Sequence, residues 1–219
     1  MKKVLIVAPH PDDETLGCGG SILKHIEKKD NVYCIFVTTI SKSSKNFKNR
    51  EKEINEINKK YSFKKLFRGK FLTSKLHNYD KLKIIDFFSK IVKKIKPEII
   101  YVPFREDAHS DHKIVYDSIS PTFKTFRYPY IKDIRVYETI SETNFKNNFS
   151  KKDFEPNLWV NISKYMNKKI NIMKIYKGEI KKHPFPRSEK SIKALAMLRG
   201  SYSGFEYAEA FKIIKQLDD

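Results

Sequence analysis

Apolar and polar positions alternate in blocks along this chain, and the length of each block separates strands from helices. Residues 3–8 are a short apolar run rich in β-branched side chains, closed by Pro9, and predict a buried strand. Residues 32–40, ending in Thr38 and Thr39, and residues 98–104 repeat that pattern, and 134–140 and 158–162 predict two further short strands. Between them, helical spacing covers 21–30, 47–60, 79–96, 111–123, 164–181 and 188–199. In 79–96 the positions Leu82, Ile85, Phe88, Ile91, Val92 and Ile95 form one stripe, and Pro97 stops the helix. The segment 207–217 is a last strand or a short helix. Gly17, Gly19 and Gly20 suit a tight turn or a close backbone approach.

Strands alternating with helices imply βαβ units. The expected fold is therefore α/β, a Rossmann-like three-layer sandwich with a mainly parallel sheet and helices on both faces. With no repeat or linker, residues 1–219 are expected to form a single domain. Such sheets bind ligands at the carboxyl ends of their strands. The chemistry should then lie just after Val7, after Thr39 and after Phe104.

Composition narrows the class further. At 40% hydrophobic residues the chain can bury a core, and Gly 7 and Pro 9 exclude a collagen-like or low-complexity polymer. Cys18 and Cys34 do not form a CxxC pair and cannot staple a chain this long. No apolar run approaches the ~20 residues of a membrane span. The apolar stretch at the N-terminus is too short for a secretory signal and lacks a cleavage site, so a cytoplasmic location is expected. Lys and Arg number 45 against 26 Asp and Glu, a net charge of +19, which points first to polyanions. The basic residues are nearly all lysine and spread over every helix, the pattern of a solvated surface. No zinc-finger, RRM or KH signature accompanies them, so no nucleic-acid partner is expected.

Two polar clusters fall where the strand-end rule asks. His10-Pro11-Asp12-Asp13-Glu14 follows the first strand, and Asp107-Ala108-His109-Ser110-Asp111-His112 follows the strand at 98–104. Imidazole and carboxylate suit Zn²⁺ and similar divalent ions, and a catalytic zinc site needs three protein ligands. His10, one of Asp12 and Asp13, and His112 would supply two nitrogens and one oxygen. The remaining carboxylate would act as base on water. Singly, such residues are more often structural, and Asp111 could simply cap the following helix. Together, five carboxylates and three imidazoles in one crevice are costly without a cation.

The segments PHPDDETLGCGG and DAHSDH resemble the PIG-L/LmbE-like metal-dependent deacetylases. This is the family of N-acetylglucosaminyl-phosphatidylinositol de-N-acetylase and of the deacetylases of mycothiol and bacillithiol synthesis. The ending HPFPRSEKSIKALAMLRGSYSGFEYAEAF is similar to its bacterial branch, in which several members serve surface-glycan biosynthesis. The resemblance implies His10, Asp13 and His112 as ligands of Zn²⁺, with Fe²⁺ also suited to them. It implies Asp12 as general base, a protonated His109 that stabilises the oxyanion or protonates the leaving amine, and Asp111 orienting His109 or His112. Glu14 would support the site or touch substrate, and Arg50, in an R-x-x-E pattern with Glu53, would reach it. Relatives carry a sugar-binding Asp in a segment like F-P-D-G-x-L; this chain has FLTSKLH, with Thr73 near that place, so the sugar contact differs. His183, Arg187 and Arg199 are further substrate candidates, because Arg suits a sugar-linked phosphate.

The implied reaction is removal of an N-acetyl group from an N-acetyl-hexosamine (GlcNAc-type) conjugate, free, phosphorylated or lipid-linked. The alternative is another small N-acyl substrate, such as a thiol-cofactor precursor or an antibiotic intermediate. A non-catalytic binding module is disfavoured by the intact His10, Asp12, Asp13, His109 and His112 set. The lysine-rich surface leaves peripheral membrane contact open for a lipid-linked substrate.

Overall fold

Side chains alternate across the first strand, and this sets the layers. In β1 (Lys3–Ala8), Val4, Ile6 and Ala8 join one buried cluster, while Leu5 and Val7 join another on the opposite face. The computed structural model describes residues 1–145 and 153–218. After β1 come α1 (Asp13–Glu27), β2 (Asn31–Thr39), α2 (Phe47–Tyr61), β3 (Lys65–Leu72), α3 (Lys81–Ile95) and β4 (Ile99–Pro103). Then follow α4 (Ser110–Ile119), β5 (Asp133–Tyr137), β6 (Leu158–Asn161), α5 (Met166–Met173), α6 (Glu189–Ser201) and β7 (Ala208–Gln216).

These strands form one seven-stranded sheet in the order β3-β2-β1-β4-β5-β7-β6. The five from β3 to β5 are parallel, and β7 runs antiparallel to both β5 and β6. Helices α1, α2, α5 and α6 supply one core cluster, through Ile22, Ile54, Ile170 and Ile192 among others. Helices α3 and α4 supply the other, through Ile84, Phe88, Val115 and Ile119. Strand order reverses between β1 and β4, so their loops diverge and open a crevice at the carboxyl ends. This is the expected α/β sandwich. No helix among the described residues is long and apolar enough to cross a membrane.

Several local expectations are corrected. Strand β3 is absent from the hydrophobic pattern because KLFRGKFL is a charged, half-exposed edge. A Cβ on Gly69 would lie 2.0 Å from the Val37 carbonyl oxygen, where the β2–β3 register shifts. In α3 the buried stripe is Ile84, Phe88, Ile91, Val92 and Ile95, while Leu82 sits exposed in the first turn. Helix α4 gives way to a 3₁₀ turn at Ser120–Phe123, where Pro121 removes a backbone donor. Helix α5 ends at Met173 rather than near 181, and the chain then turns through Glu179. The 207–217 segment resolves as strand β7.

Helix α1 begins at Asp13, well before the glycines, so these sit inside a helix rather than in a turn. A Cβ on Gly17 would stand 2.2 Å from the Tyr137 ring, so the glycine lets helix and sheet close up. The helix is interrupted at Cys18 (φ −145°, ψ 24°). The Gly20 and Ser21 N–H groups donate to the Glu209 carboxylate of β7 at 2.7 and 2.8 Å. Lys169 of α5, also buried, donates to Glu209 at 2.7 Å and to the Leu16 carbonyl at 2.9 Å. The interrupted helix is thereby capped by a buried ion pair.

Removing one member of a buried pair leaves the other uncompensated, at a cost of ~3–5 kcal/mol. Glu209→Ala is therefore expected to lower the chemical-denaturation midpoint by that much stability, with Lys169 and two N–H groups stranded. A change below ~1 kcal/mol would show that water replaces the carboxylate.

Candidate metal centre and catalytic cleft

The β1 and β4 loops carry both polar clusters to the same end of the sheet. Asp12 is the residue from which α1 starts, its carbonyl accepting from the Thr15 and Leu16 N–H groups. Its backbone is strained (φ 136°, ψ −30°), and its N–H donates to Glu14 Oε2 at 3.0 Å. Strain of this kind persists only where the surroundings over-determine it. Glu14, fully buried, also accepts from Thr15 Oγ1 (2.6 Å) and Tyr176 OH (2.9 Å). It thus braces Asp12 from behind and is not among the residues that line the cleft.

Asp13 is the meeting point. Its Oδ2 accepts from the His10 N–H (2.8 Å) and stands 3.2 Å from His10 Nδ1 and 3.3 Å from His112 Nε2. Each ring turns its other nitrogen to a second carboxylate. His112 Nδ1 donates to Asp107 Oδ2 at 2.7 Å, and His10 Nε2 lies 3.1 Å from Asp111 Oδ2. Once the inner nitrogens give up their protons, these outer bonds leave one lone pair on each ring directed inward, as metal-ligating histidines require. His112 Nε2 is buried, 3.3 Å from Asp13 Oδ2, with no hydrogen-bond partner among the described residues. His10, Asp13 and His112 offer ligand atoms within 4.8 Å of one another, so they can hold a metal ion.

The electrostatics fit the same reading. Burial opposes a proton on His10, but hydrogen bonds to Asp111 and Asp13 prevail and raise it to about 9. His112 is likewise raised against its burial, chiefly by the charge of Asp13. Burial would lift Asp13, yet the two imidazoles hold it well below the usual carboxylate range. Asp12 goes the other way, raised first by burial and then by the charges of Asp13 and Glu179. Burial raises Glu14 to about 7.

The second loop departs from what the resemblance implied. Asp111 was expected to orient His109 or His112, but its carboxylate holds His10 and accepts the Ser74 N–H at 2.7 Å. Asp107 orients His112 instead, and Thr143 donates to it at 2.6 Å. The cap of α4 is His109, not Asp111: its Nδ1 accepts the Asp111 N–H at 3.1 Å. With Nδ1 so used, the ring proton belongs on Nε2. Burial, and after it the charge of His10, pushes His109 down to about 4. In this arrangement the ring is set as a neutral Nε2 donor, where the resemblance implied an imidazolium.

A cleft of about 220 Å³ opens over these groups, lined also by Thr39, Thr73, Arg50, Glu142, Glu179 and Arg187. Thr73 bonds Thr38 Oγ1 at 3.0 Å. Arg50 reaches Glu53 (3.2 Å), Glu179 and the Pro11 carbonyl (3.4 Å). Arg187 stands 3.4 Å from Asp12 Oδ2 and 3.0 Å from Glu179, and its buried Nε lacks a partner. Two candidates fall elsewhere. Arg199 forms a two-pronged pair with Glu138 at 2.7 and 2.7 Å, outside the cleft, and His183 is exposed on the surface. Glu179 carried no signal in the sequence: it comes to the cleft only through the turn after α5.

Metal must displace the proton that His10 holds below about 9. Titration with Zn²⁺ at pH 7 should release protons, and affinity should rise with pH by about tenfold per unit for each proton displaced. Calorimetry in buffers of different ionisation enthalpy reads this directly. Binding without proton release, or binding unchanged in His112→Ala, would remove this site.

Comparison with known proteins identifies the family. Residues 5–122, more than half of the chain, match the PIG-L family, described as GlcNAc-PI de-N-acetylase. YaiS of Escherichia coli (strain K12), named an uncharacterized deacetylase, is 26% identical over 148 residues, 64% of this chain and 75% of that protein. The conserved protein TT1542 from Thermus thermophilus superposes with a TM-score of 0.79 at 21% identity, covering 100% of this chain and 97% of that one. The N,N'-diacetylchitobiose deacetylase from Pyrococcus horikoshii superposes with a TM-score of 0.75 at 24% identity, covering 98% of this chain and 84% of that one. At these identities the superpositions establish the fold. With the HPDDE and HSDH segments gathered in one cleft and the family match running through both, the chain belongs to the PIG-L family and is an N-deacetylase, a hydrolase of amide bonds.

Proposed function

We propose that the chain removes the N-acetyl group from an N-acetyl-hexosamine (GlcNAc-type) conjugate with the help of Zn²⁺ held by His10, Asp13 and His112. The carrying observation is the convergence of His10 Nδ1, His112 Nε2 and Asp13 Oδ2 beneath a cleft rimmed by Asp12 and His109. Two imidazoles and one carboxylate suit catalytic zinc; Fe²⁺ would suit them too. When bound, such an ion supplies Lewis acidity, polarising a carbonyl and making water more acidic.

The chain's own groups do the rest. Asp12, with its proton affinity raised by burial and then by the charge of Asp13, is a better proton acceptor than an ordinary carboxylate and serves as the general base. It takes a proton from the attacking water, whose oxygen forms the new bond to the acetyl carbon. The neutral His109 donates from Nε2 to the oxygen on which negative charge develops. The C–N bond then breaks, Asp12 returns its proton to the amine, and acetate and the free amino sugar leave. Arg187 steadies Asp12 and keeps one donor, Nε, for a sugar hydroxyl. Glu179 pairs with both Arg50 and Arg187 and, with Asp12, offsets their positive charge at the cleft. This favours a substrate uncharged around the scissile amide.

Acetate release from GlcNAc conjugates by the zinc-loaded protein tests this. Asp12→Asn is expected to lower kcat by ~10²–10⁴-fold, the usual worth of a general base, while metal content stays stoichiometric. His109→Ala is expected to lose ~10²–10³-fold through the oxyanion donor. Full activity in Asp12→Asn would overturn the assignment of the base. No acetate from any conjugate would overturn the substrate class.

A further inference from the structure

The catalytic cleft is small. Its volume of about 220 Å³ falls below the ~300–1,000 Å³ of sites that enclose a whole drug-sized ligand. It accommodates one acylated ring and little else. A second, larger groove of about 650 Å³ adjoins it and shares Ile40, Arg50 and Glu179 with it. Two further cavities, of about 410 and 380 Å³, share no lining residue with the cleft.

One wall of the groove is a face of α2 and the residues leading into it. Asn46, Asn49, Arg50, Glu53 and Glu56 recur at three- and four-residue spacing, so they line one side of the helix. The opposite wall is the turn from Ile175 to Glu179, pinned to α2 by the Lys177 N–H donating to Glu53 Oε1 at 3.2 Å. Arg50 reaches Glu179 across the join between groove and cleft. By sequence alone this stripe is indistinguishable from a solvated helix face. The turn after α5 converts it into a channel.

The lining selects the ligand class. It carries carboxamides at Asn46 and Asn49, ammonium groups at Lys52 and Lys177 and carboxylates at Glu53 and Glu56, set among the aliphatic surface of Ile40, Ile175 and the side-chain stems. Hydrogen-bonding groups interleaved with aliphatic surface suit a sugar ring, which has hydroxyls at its edge and C–H groups on its faces. The mixed charges oppose a diphosphate, because Glu53, Glu56 and Glu179 stand among the cations. Amide and carboxylate groups in this density match a chain of hydroxyls.

Resting on the deacetylase reading above, we propose that this groove binds the further sugar units of a glycan whose N-acetylated residue occupies the cleft. The enzyme is then selective for an oligosaccharide or polysaccharide chain over a free N-acetyl sugar or a lipid-linked monosaccharide.

The test is a ladder of chitooligosaccharides of one to four units, read in two ways. Affinity is measured by calorimetry on zinc-loaded Asp12→Asn, which holds substrate without turnover, and acetate release is measured on the wild type. Affinity and kcat/KM are each expected to rise at least tenfold from one unit to three. In Asn49→Trp, which fills the groove from an exposed position, the three-unit to one-unit ratio should fall to near one. Asn46→Ala combined with Glu56→Ala should reduce that ratio in the same direction, and a thermal melt of each variant checks folding. Length-dependent binding with no acetate release would support the groove and overturn the deacetylase substrate. Acetate release with no length dependence, or a ratio unaltered in both variants, would overturn the groove and leave the deacetylase standing. Absence of binding by every member would overturn the groove's assignment to a glycan.

Discussion

Asp12 and Asp13 are adjacent, buried and at the same strand end, and two such carboxylates cannot both ionise without positive charge close by. The surrounding structure answers that constraint asymmetrically. Two imidazoles face Asp13 and keep it ionised, whereas burial and its neighbours keep Asp12 basic. In the proposed mechanism a ligand and a base are thus separated by environment rather than by residue type. Outside this pair stand Asp107 and Asp111, each holding the far nitrogen of one imidazole. Beneath it, Glu14 and Tyr176 brace the strained turn at Asp12.

The supports reach far along the chain. The first turn of α1, which carries Asp13 and Glu14, belongs to a helix interrupted at Cys18 and recapped by Glu209 of β7 with Lys169 of α5. Gly17 lets that helix lie against Tyr137, whose hydroxyl donates to the Val7 carbonyl at the end of β1. The last strand therefore helps to position the first catalytic loop. The same economy operates at the mouth, where Glu179 joins Arg50 of α2 to Arg187, and Arg187 leans on Asp12.

What was legible in the sequence was what is local. The residues proposed as ligands and base lie in two short segments after apolar runs, so strand-end placement with the metal chemistry of imidazole and carboxylate points to His10, Asp12, Asp13, His109 and His112, and the family resemblance divides their roles. Roles set by distant pairing were hidden. Asp111 holds His10 rather than His109 or His112, and Asp107, for which no role was expected, holds His112; this pairing across two loops is not encoded in any spacing. Glu179 and Arg187 meet only through a turn that ended α5 early. Strand β3 has no apolar run because an exposed edge needs none, and the pairing of Arg199 with Glu138, 61 residues away, leaves no local mark in the sequence.

The central claim is that His10, Asp13 and His112 form one metal centre. X-ray absorption spectroscopy at the zinc edge on the stoichiometrically loaded protein tests it most directly. The expected spectrum shows two imidazole nitrogens and carboxylate oxygen at ~2.0–2.2 Å, with no sulfur among the ligands. A sulfur ligand at ~2.3 Å, or a spectrum without imidazole scattering, would contradict it.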